Sequence, residues 1–143
     1  MSEEIYHQAI KELAQAAHGA GRLPSPTASA RLDNALCGDR VTVDLRSENG
    51  RITALAQETK GCLLCRAAAS LLARKAPGSA PADIARALAA LRDLLQGKPA
   101  EPALWPDLSL FAPVGPHKSR HGCVLLPFQA AQQAIEAAAC RQR

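Results

Sequence analysis

The sequence predicts an α+β fold: a small antiparallel β-sheet of about three strands with helices packed on one face. Two alternating segments joined by a hairpin dipeptide predict the sheet. Apolar residues at helical spacing on either side predict the helices. Glycines and prolines fall between these segments, where turns are needed.

Tyr6, Ile10, Leu13 and Ala17 recur at helical spacing, with Ser2 placed to cap them, and Gly19 and Gly21 stop this first helix. Arg22 to Thr27 carries two prolines and reads as a loop. Ala28, Ala30 and Leu32 alternate with Ser29, Arg31 and Asp33, a short strand signal. Val41, Val43 and Leu45 alternate with Thr42, Asp44 and Arg46. Asn49-Gly50 follows, the dipeptide a type I′ turn prefers because both central residues need positive φ. Ile52, Ala54 and Ala56 are expected to form the apolar face of the returning strand.

From Cys62 to Ala76 the pattern is helical, with Leu64, Ala68, Leu71 and Leu72 as the apolar stripe. Pro77-Gly78 ends it. Ser79 and Asp83 bracket the start of another helix, whose Ile84, Leu88, Leu91 and Leu95 face one way before Gly97 and Pro99. Residues 98–121 hold five of the ten prolines and the single Trp, and predict an ordered loop or short helix around Leu104 to Phe111, with Trp105 packing over the site. Phe128, Ala131, Ile135 and Ala138 mark a last helix beginning near Cys123. With no internal repeat, residues 1–143 read as one domain.

Composition narrows the function. Hydrophobic residues make up 48% and charged residues 21%, ordinary values for a globular protein. With one Trp, one Tyr and two Phe, the chain lacks the stacking platforms that hold single-stranded nucleic acid. The net charge of +4 is mild, and the one basic cluster in the sequence, Lys118, Arg120, Arg141 and Arg143, is sparse for a nucleic-acid stripe. A docking face for an acidic protein is the other use of such a cluster. No apolar run approaches the ~18 residues of a membrane span. Met1-Ser2-Glu3-Glu4 is acidic, unlike a signal peptide, so the expected location is the cytoplasm. In a reducing compartment the five cysteines read as metal ligands, reactive thiols or core residues rather than disulfides.

Chemistry concentrates at three of them. In Cys37-Gly38-Asp39 an extended backbone points residues two apart the same way, so a thiolate and a carboxylate share one target. Cys62 follows Gly61 and Cys123 follows Gly122, each at a helix start, where the helix field is expected to lower a thiol's pKa. Three thiolates and a carboxylate suit tetrahedral zinc or an iron–sulfur centre. The spacing alone leaves open that these are ordinary buried cysteines.

Asn34-Ala35-Leu36-Cys37-Gly38-Asp39-Arg40-Val41, then Gly61-Cys62, then Arg120-His121-Gly122-Cys123-Val124-Leu125-Leu126-Pro127 resemble the three cysteine motifs of the NifU/IscU/SufU family of iron–sulfur cluster assembly scaffold proteins. Motif order, the hairpin and the small-residue helix after Cys62 agree over nearly the whole chain. The resemblance implies sulfur received from a cysteine desulfurase, ligation of iron, a cluster (of [2Fe–2S] type, held transiently) or Zn2+ by Cys37, Asp39, Cys62 and Cys123, and delivery to apo iron–sulfur proteins. IscU-type members carry a histidine directly before the third cysteine; here that place is Gly122, with His121 one residue earlier. The long stretch between Cys62 and Cys123 is closer to the SufU type, whose members bind zinc tightly and accept sulfur, a role the resemblance assigns to Cys37. The resemblance therefore leaves a non-enzymatic scaffold and a sulfur-transfer enzyme both open, beside a structural zinc module.

Cys65 lies one helical turn after Cys62, and reads as a small buried residue, with an auxiliary ligand or a resolving thiol as the alternatives. Cys140 reads as a bystander, and His7 and His18 as solvated. Gly19-Ala20-Gly21 lacks the strand-then-helix setting of a dinucleotide site. A cysteine hydrolase built on Cys37 or Cys123 with His121 has nothing to orient its base.

Overall fold

A computed structural model describes residues 7–98 and 105–141. The expected roles of Ser2, Tyr6, Pro99, Leu104, Arg143 and the Cys140 side chain fall outside the described residues. The elements are α1 (Gln8–Ala16), β1 (Ala28–Asn34), β2 (Asp39–Glu48), β3 (Arg51–Lys60), α2 (Leu63–Lys75), α3 (Pro81–Leu95), 3₁₀ segments Pro106–Val114 and Lys118–Arg120, and α4 (His121–Arg141). The strands form one antiparallel sheet in the order β1-β2-β3.

Both connections are hairpins. Asn49 and Gly50 take φ of 53° and 77°, as the dipeptide predicts. Beyond that turn one residue changes the expected face. Ser47 pairs with Ile52 but Arg46 pairs with Ala54, so Thr53 is an extra residue and its hydroxyl donates to the Arg46 carbonyl. A bulge of one residue flips every side chain that follows it. Leu55, Gln57 and Thr59 therefore stand opposite Leu45, Val43 and Val41 on the inner face, while Ala54 and Ala56 stand opposite Arg46 and Asp44 on the outer one. The expected Ile52–Ala54–Ala56 face does not form. The polar Gln57 that takes its place is buried but partnered: its amide donates to the His18 carbonyl, and its oxygen accepts from the Thr59 hydroxyl.

The helices cover the inner face. α4 lies along β1 and β2, and α2 sits between α1, α4 and β3. Because α2 has neighbours on several sides, its burial is wider than one stripe: Leu64, Cys65, Ala67, Ala68, Ala69, Ser70, Leu71, Leu72 and Ala73 are all buried. Its alanines let the flanking elements approach closely. Arg66 and Arg74 remain exposed on it. Pro81 is the first residue of α3, where its missing N–H costs nothing, and the Asp83 carboxylate accepts from Ala80 N–H. Ser79 is not the cap; its hydroxyl donates to the Lys75 carbonyl at the end of α2.

Trp105 is buried against Phe128 of α4, ring centroids 6.0 Å apart, and the Pro106–Val114 segment packs on α3 and α1. His7 is half-buried and its ring bonds the Leu110 carbonyl at 2.9 Å, so it joins α1 to that segment instead of pointing into solvent. The basic residues grouped in sequence separate in space. Lys118 and Arg120 precede α4, whereas Arg141 ends it, a rise of about 30 Å along the helix. No helix among the described residues is long and apolar enough to cross a membrane.

Candidate metal centre

The site lies where β2, α2 and α4 begin. Asp39 opens β2, Cys62 is the N-cap of α2, and Cys123 is in the first turn of α4. Cys37 is placed by a turn, not by the extended segment expected. Leu36 N–H donates to Asn34 Oδ1, and Cys37 and Gly38 N–H both donate to the Asn34 carbonyl. Gly38 takes φ of 73°, a left-handed conformation that glycine adopts without strain. This turn, closing β1 onto β2 through the Asn34–Asp39 pair, swings Cys37 back over Asp39.

One ligand atom each from Cys37, Asp39 and Cys123 lies within 4.8 Å of the other two. Cys62 joins them through Asp39: its N–H donates to Oδ1 at 3.0 Å, and its Sγ stands 4.0 Å from Oδ2. Sulfurs bound to one tetrahedral metal by ~2.3 Å bonds sit roughly 3.8 Å apart, so Cys37, Asp39 and Cys123 need little adjustment to close on an ion, while Cys62 stands outside that trio beside Asp39. The donor set, three thiols and a carboxylate, fits zinc or an iron–sulfur centre on chemical grounds as well.

The glycines beside the ligands serve two purposes. A Cβ on Gly61 would lie 2.4 Å from Asp39 Oδ1, and one on Gly122 would lie 2.8 Å from Asn34 Nδ2. Both therefore give room to the Asp39 and Asn34 side chains, while Gly38 supplies backbone conformation.

Burial overturns the expected thiol electrostatics. Cys123 is fully buried, and its pKa is raised by that burial first and then by hydrogen bonding to Asp39, Cys37 and Cys62. The α4 terminus does not offset this. Cys65 is also fully buried, its thiol pushed up by desolvation and then by the charges of Asp39, Cys62 and Cys37. It sits in the core behind the site, as the small-residue reading expected. Cys37, by contrast, is exposed, with its Sγ 3.9 Å from the Ser119 carbonyl.

The profile of the NifU-like N terminal domain family matches residues 5–104. The chain belongs to that family. The matched stretch contains Cys37, Asp39 and Cys62, and Cys123 lies beyond it. A crystal structure of a nitrogen-fixing NifU-like protein (N-terminal) from Brucella abortus is similar to this chain at a TM-score of 0.92 and 33% identity, over 96% of each chain. The iron-sulfur cluster assembly scaffold protein IscU of Thermotoga maritima is 23% identical over 132 residues, 92% of this chain and 93% of its own. A putative iron-sulfur cluster assembly scaffold protein for the SUF system from Fervidobacterium islandicum shares the fold at a TM-score of 0.89, with 20% identity over 94% of this chain and 99% of its own.

Within this NifU-like domain, His121 stands apart from the ligand group. Its Nε2 bonds the Gly115 carbonyl at 2.8 Å, which ties the start of α4 to the preceding loop. Sequence reading gave Asn34 no role, although its side chain and carbonyl together accept three hydrogen bonds from the Cys37 turn. An Asn at a strand end, two residues before a bend, was the available signal. Asp44 went unread for lack of any local signal. It is buried on the outer face, bonded by Arg22 at 2.6 and 3.0 Å, by Ser29 at 2.5 Å and by Leu23 N–H at 3.0 Å.

Proposed function

We propose that this NifU-like domain is an iron–sulfur cluster assembly scaffold acting in the cytoplasm. It accepts sulfur from a cysteine desulfurase, holds iron or a cluster through Cys37, Asp39, Cys62 and Cys123, and passes the cluster to apo-proteins. The observation that carries the reading is the meeting of Cys37, Asp39 and Cys123, with ligand atoms within 4.8 Å of one another, and of Cys62 beside Asp39. Family membership supports it.

The four residues divide the work by exposure. Cys123 is the buried anchor and is shielded from solvent oxidants. Exposed Cys37 is the thiol an incoming sulfur donor reaches. Asp39 contributes oxygen where a fourth thiolate would bind iron–sulfur centres more firmly, which keeps the cargo releasable. Asp39→Ala is therefore expected to lengthen the lifetime of a bound cluster, read from the decay of its visible absorption. An unchanged decay rate removes that role.

A second reading, a zinc-dependent sulfur acceptor that raises desulfurase turnover, uses the same ligands with Cys37 released to take sulfur. The exposure of Cys37 alone among the ligands favours it. The deciding experiment offers anaerobically purified protein iron, cysteine and a desulfurase, with elemental analysis alongside. Visible cluster absorption that disappears in Cys37, Cys62 or Cys123 variants supports the scaffold. One zinc per chain that iron does not displace, with turnover stimulated and Cys37→Ser inactive, supports the relay. A chain that binds neither metal rejects both. A purely structural zinc is disfavoured because a large buried apolar core links the four helices and the sheet, and a carboxylate is an uncommon structural ligand beside three thiolates.

A further inference from the structure

We infer that Leu36 is a docking knob that seats in an apolar socket, rimmed by carboxylates, on the protein that donates sulfur to Cys37. The inference rests on the sulfur-accepting arm of the proposed function and identifies the surface that performs it.

Leu36 is 95% exposed and is the one large hydrophobic residue so exposed among the described residues. Single exposed leucines are common on surfaces and by themselves carry no meaning. Two further features separate this one. It is held, not loose: its own N–H donates to Asn34 Oδ1, and the two residues after it are bonded to the Asn34 carbonyl. Little backbone freedom is left to lose on docking, which favours its use as an anchor. It also precedes Cys37, the exposed member of the proposed ligand group, so whatever covers Leu36 is brought to that sulfur.

The surroundings define the partner's chemistry. On one side lies a cleft of about 310 Å³ whose lining includes Ala35, Gly38, Arg40 and Lys60 together with the carboxylates of Asp33 and Asp39. Arg40 and Lys60 are direct cross-strand neighbours, a like-charge pairing that costs stability. On the other side the Ser119 carbonyl touches Cys37, which places the Lys118–Arg120 turn and its two cations against the loop. Lys60 and Lys118 have no ion-pair partner among the described residues, and the one carboxylate bonded to Arg40 is the exposed Asp33. An apolar tip with Lys60 on one side and Lys118 on the other, neither answered by a carboxylate of this chain's described residues, complements an apolar socket with an acidic rim. It does not complement itself, which argues against a second copy of this chain. Donor is favoured over cluster acceptor because Cys123 and Asp39 are buried behind the loop, while Cys37 alone faces outward.

The step this docking serves balances without a further reagent. The Cys37 thiolate attacks the terminal sulfur of the donor's cysteine persulfide. The donor's S–S bond breaks, its electron pair leaves on the donor cysteine as thiolate, and a new S–S bond makes Cys37 the persulfide. Oxidation state is exchanged between the two cysteines with no net redox change.

The test is a titration of a cysteine desulfurase from the same genome with the parent protein, Leu36→Ser and Lys118→Glu, reading sulfur on Cys37 by mass spectrometry. Burying a leucine contributes enough that Leu36→Ser should raise the half-saturating concentration about tenfold or more, with the same maximal transfer rate. Lys118→Glu should raise it less, and its effect should fade in high salt. Chemical loading of Cys37 by inorganic polysulfide and the melting temperature should match the parent in Leu36→Ser, which separates docking from folding. Half-saturation within twofold of the parent overturns the inference. So does a Leu36→Ser defect confined to cluster handover, or a change in self-association. Parent protein that builds a cluster from iron and free sulfide but takes no sulfur from the desulfurase overturns the inference and leaves the scaffold standing. Failure of that reconstitution as well removes the scaffold with it.

Discussion

Asp39 and Asp44 are both buried carboxylates of β2, five residues apart and so on opposite faces of the sheet. Their surroundings differ in kind. Asp44 is enclosed by donors the fold itself supplies: two guanidinium N–H groups of Arg22, the Ser29 hydroxyl and the Leu23 N–H. Asp39 has the Cys62 N–H and a set of thiols, with no cation paired to it among the described residues. A buried carboxylate whose charge is already answered holds structure together. One that faces sulfurs and no cation suits the metal-holding role proposed above.

The comparison breaks most visibly in metal content. Cys123→Ser, which removes the buried anchor beside Asp39, should abolish stoichiometric metal measured by elemental analysis. Asp44→Ala should leave metal content at the parental value. In denaturant the order reverses. Asp44→Ala leaves a buried hydroxyl and N–H without their acceptor and should cost about 2–3 kcal/mol. Asp39→Ala should change the metal-free protein by ~1 kcal/mol or less, since a buried carboxylate without a cation is removed along with the Cys62 N–H bond and weaker thiol contacts.

The two sites also predict opposite ends of the pH profile. Burial pushes the Asp44 carboxyl up, but the bonds from Arg22, Ser29 and Leu23 outweigh it and hold the group below its ordinary range. Its contribution is therefore present above the unfolded value near 3.9 and is lost as pH falls through the depressed folded value. Cys123 and Cys65 are shifted upward and keep their protons where unfolded thiols ionise. Metal-free protein should then lose stability as pH rises above about 8.5, by up to about 1.4 kcal/mol per unit for each thiol. Asp44→Asn should flatten the acid limb only. Cys65→Ala should shallow the alkaline limb while leaving metal content unchanged.

The smallest effect expected concerns space. Gly61→Ala must displace the Asp39 carboxylate and should weaken metal affinity more than it lowers stability, read by competition with a chelator. His121→Ala, away from the ligand group, should leave that affinity unchanged.

The outline of this molecule was legible from local chemistry. The Asn49-Gly50 turn, the helix from Leu63 and the ligand-flanking glycines could be read because each depends on residues within a few positions. Less local features were hidden. Thr53 looks like any strand residue, and only pairing with β2 shows it to be the extra one that turns Ala54 and Ala56 outward. The stripe predicted on α2 was correct but incomplete, because periodicity shows that a helix has a buried face and cannot count its neighbours. Cys37-Gly38-Asp39 reads as extended in the sequence because it alternates acceptably in either conformation, whereas the chain turns there.

By itself, then, the sequence determined where the sheet and helices lie and the order in which the three cysteine motifs occur, and it singled out the residues proposed to carry the chemistry. Tertiary structure decided the rest: that Cys37 is outside and Cys123 inside, that Asp39 meets thiols while Asp44 meets Arg22, and that His121 turns to Gly115. The reason is physical. Residue type and local spacing set what a side chain can bond, but its burial and its partner are set by segments tens of residues away, which arrive only when the helices close over the sheet.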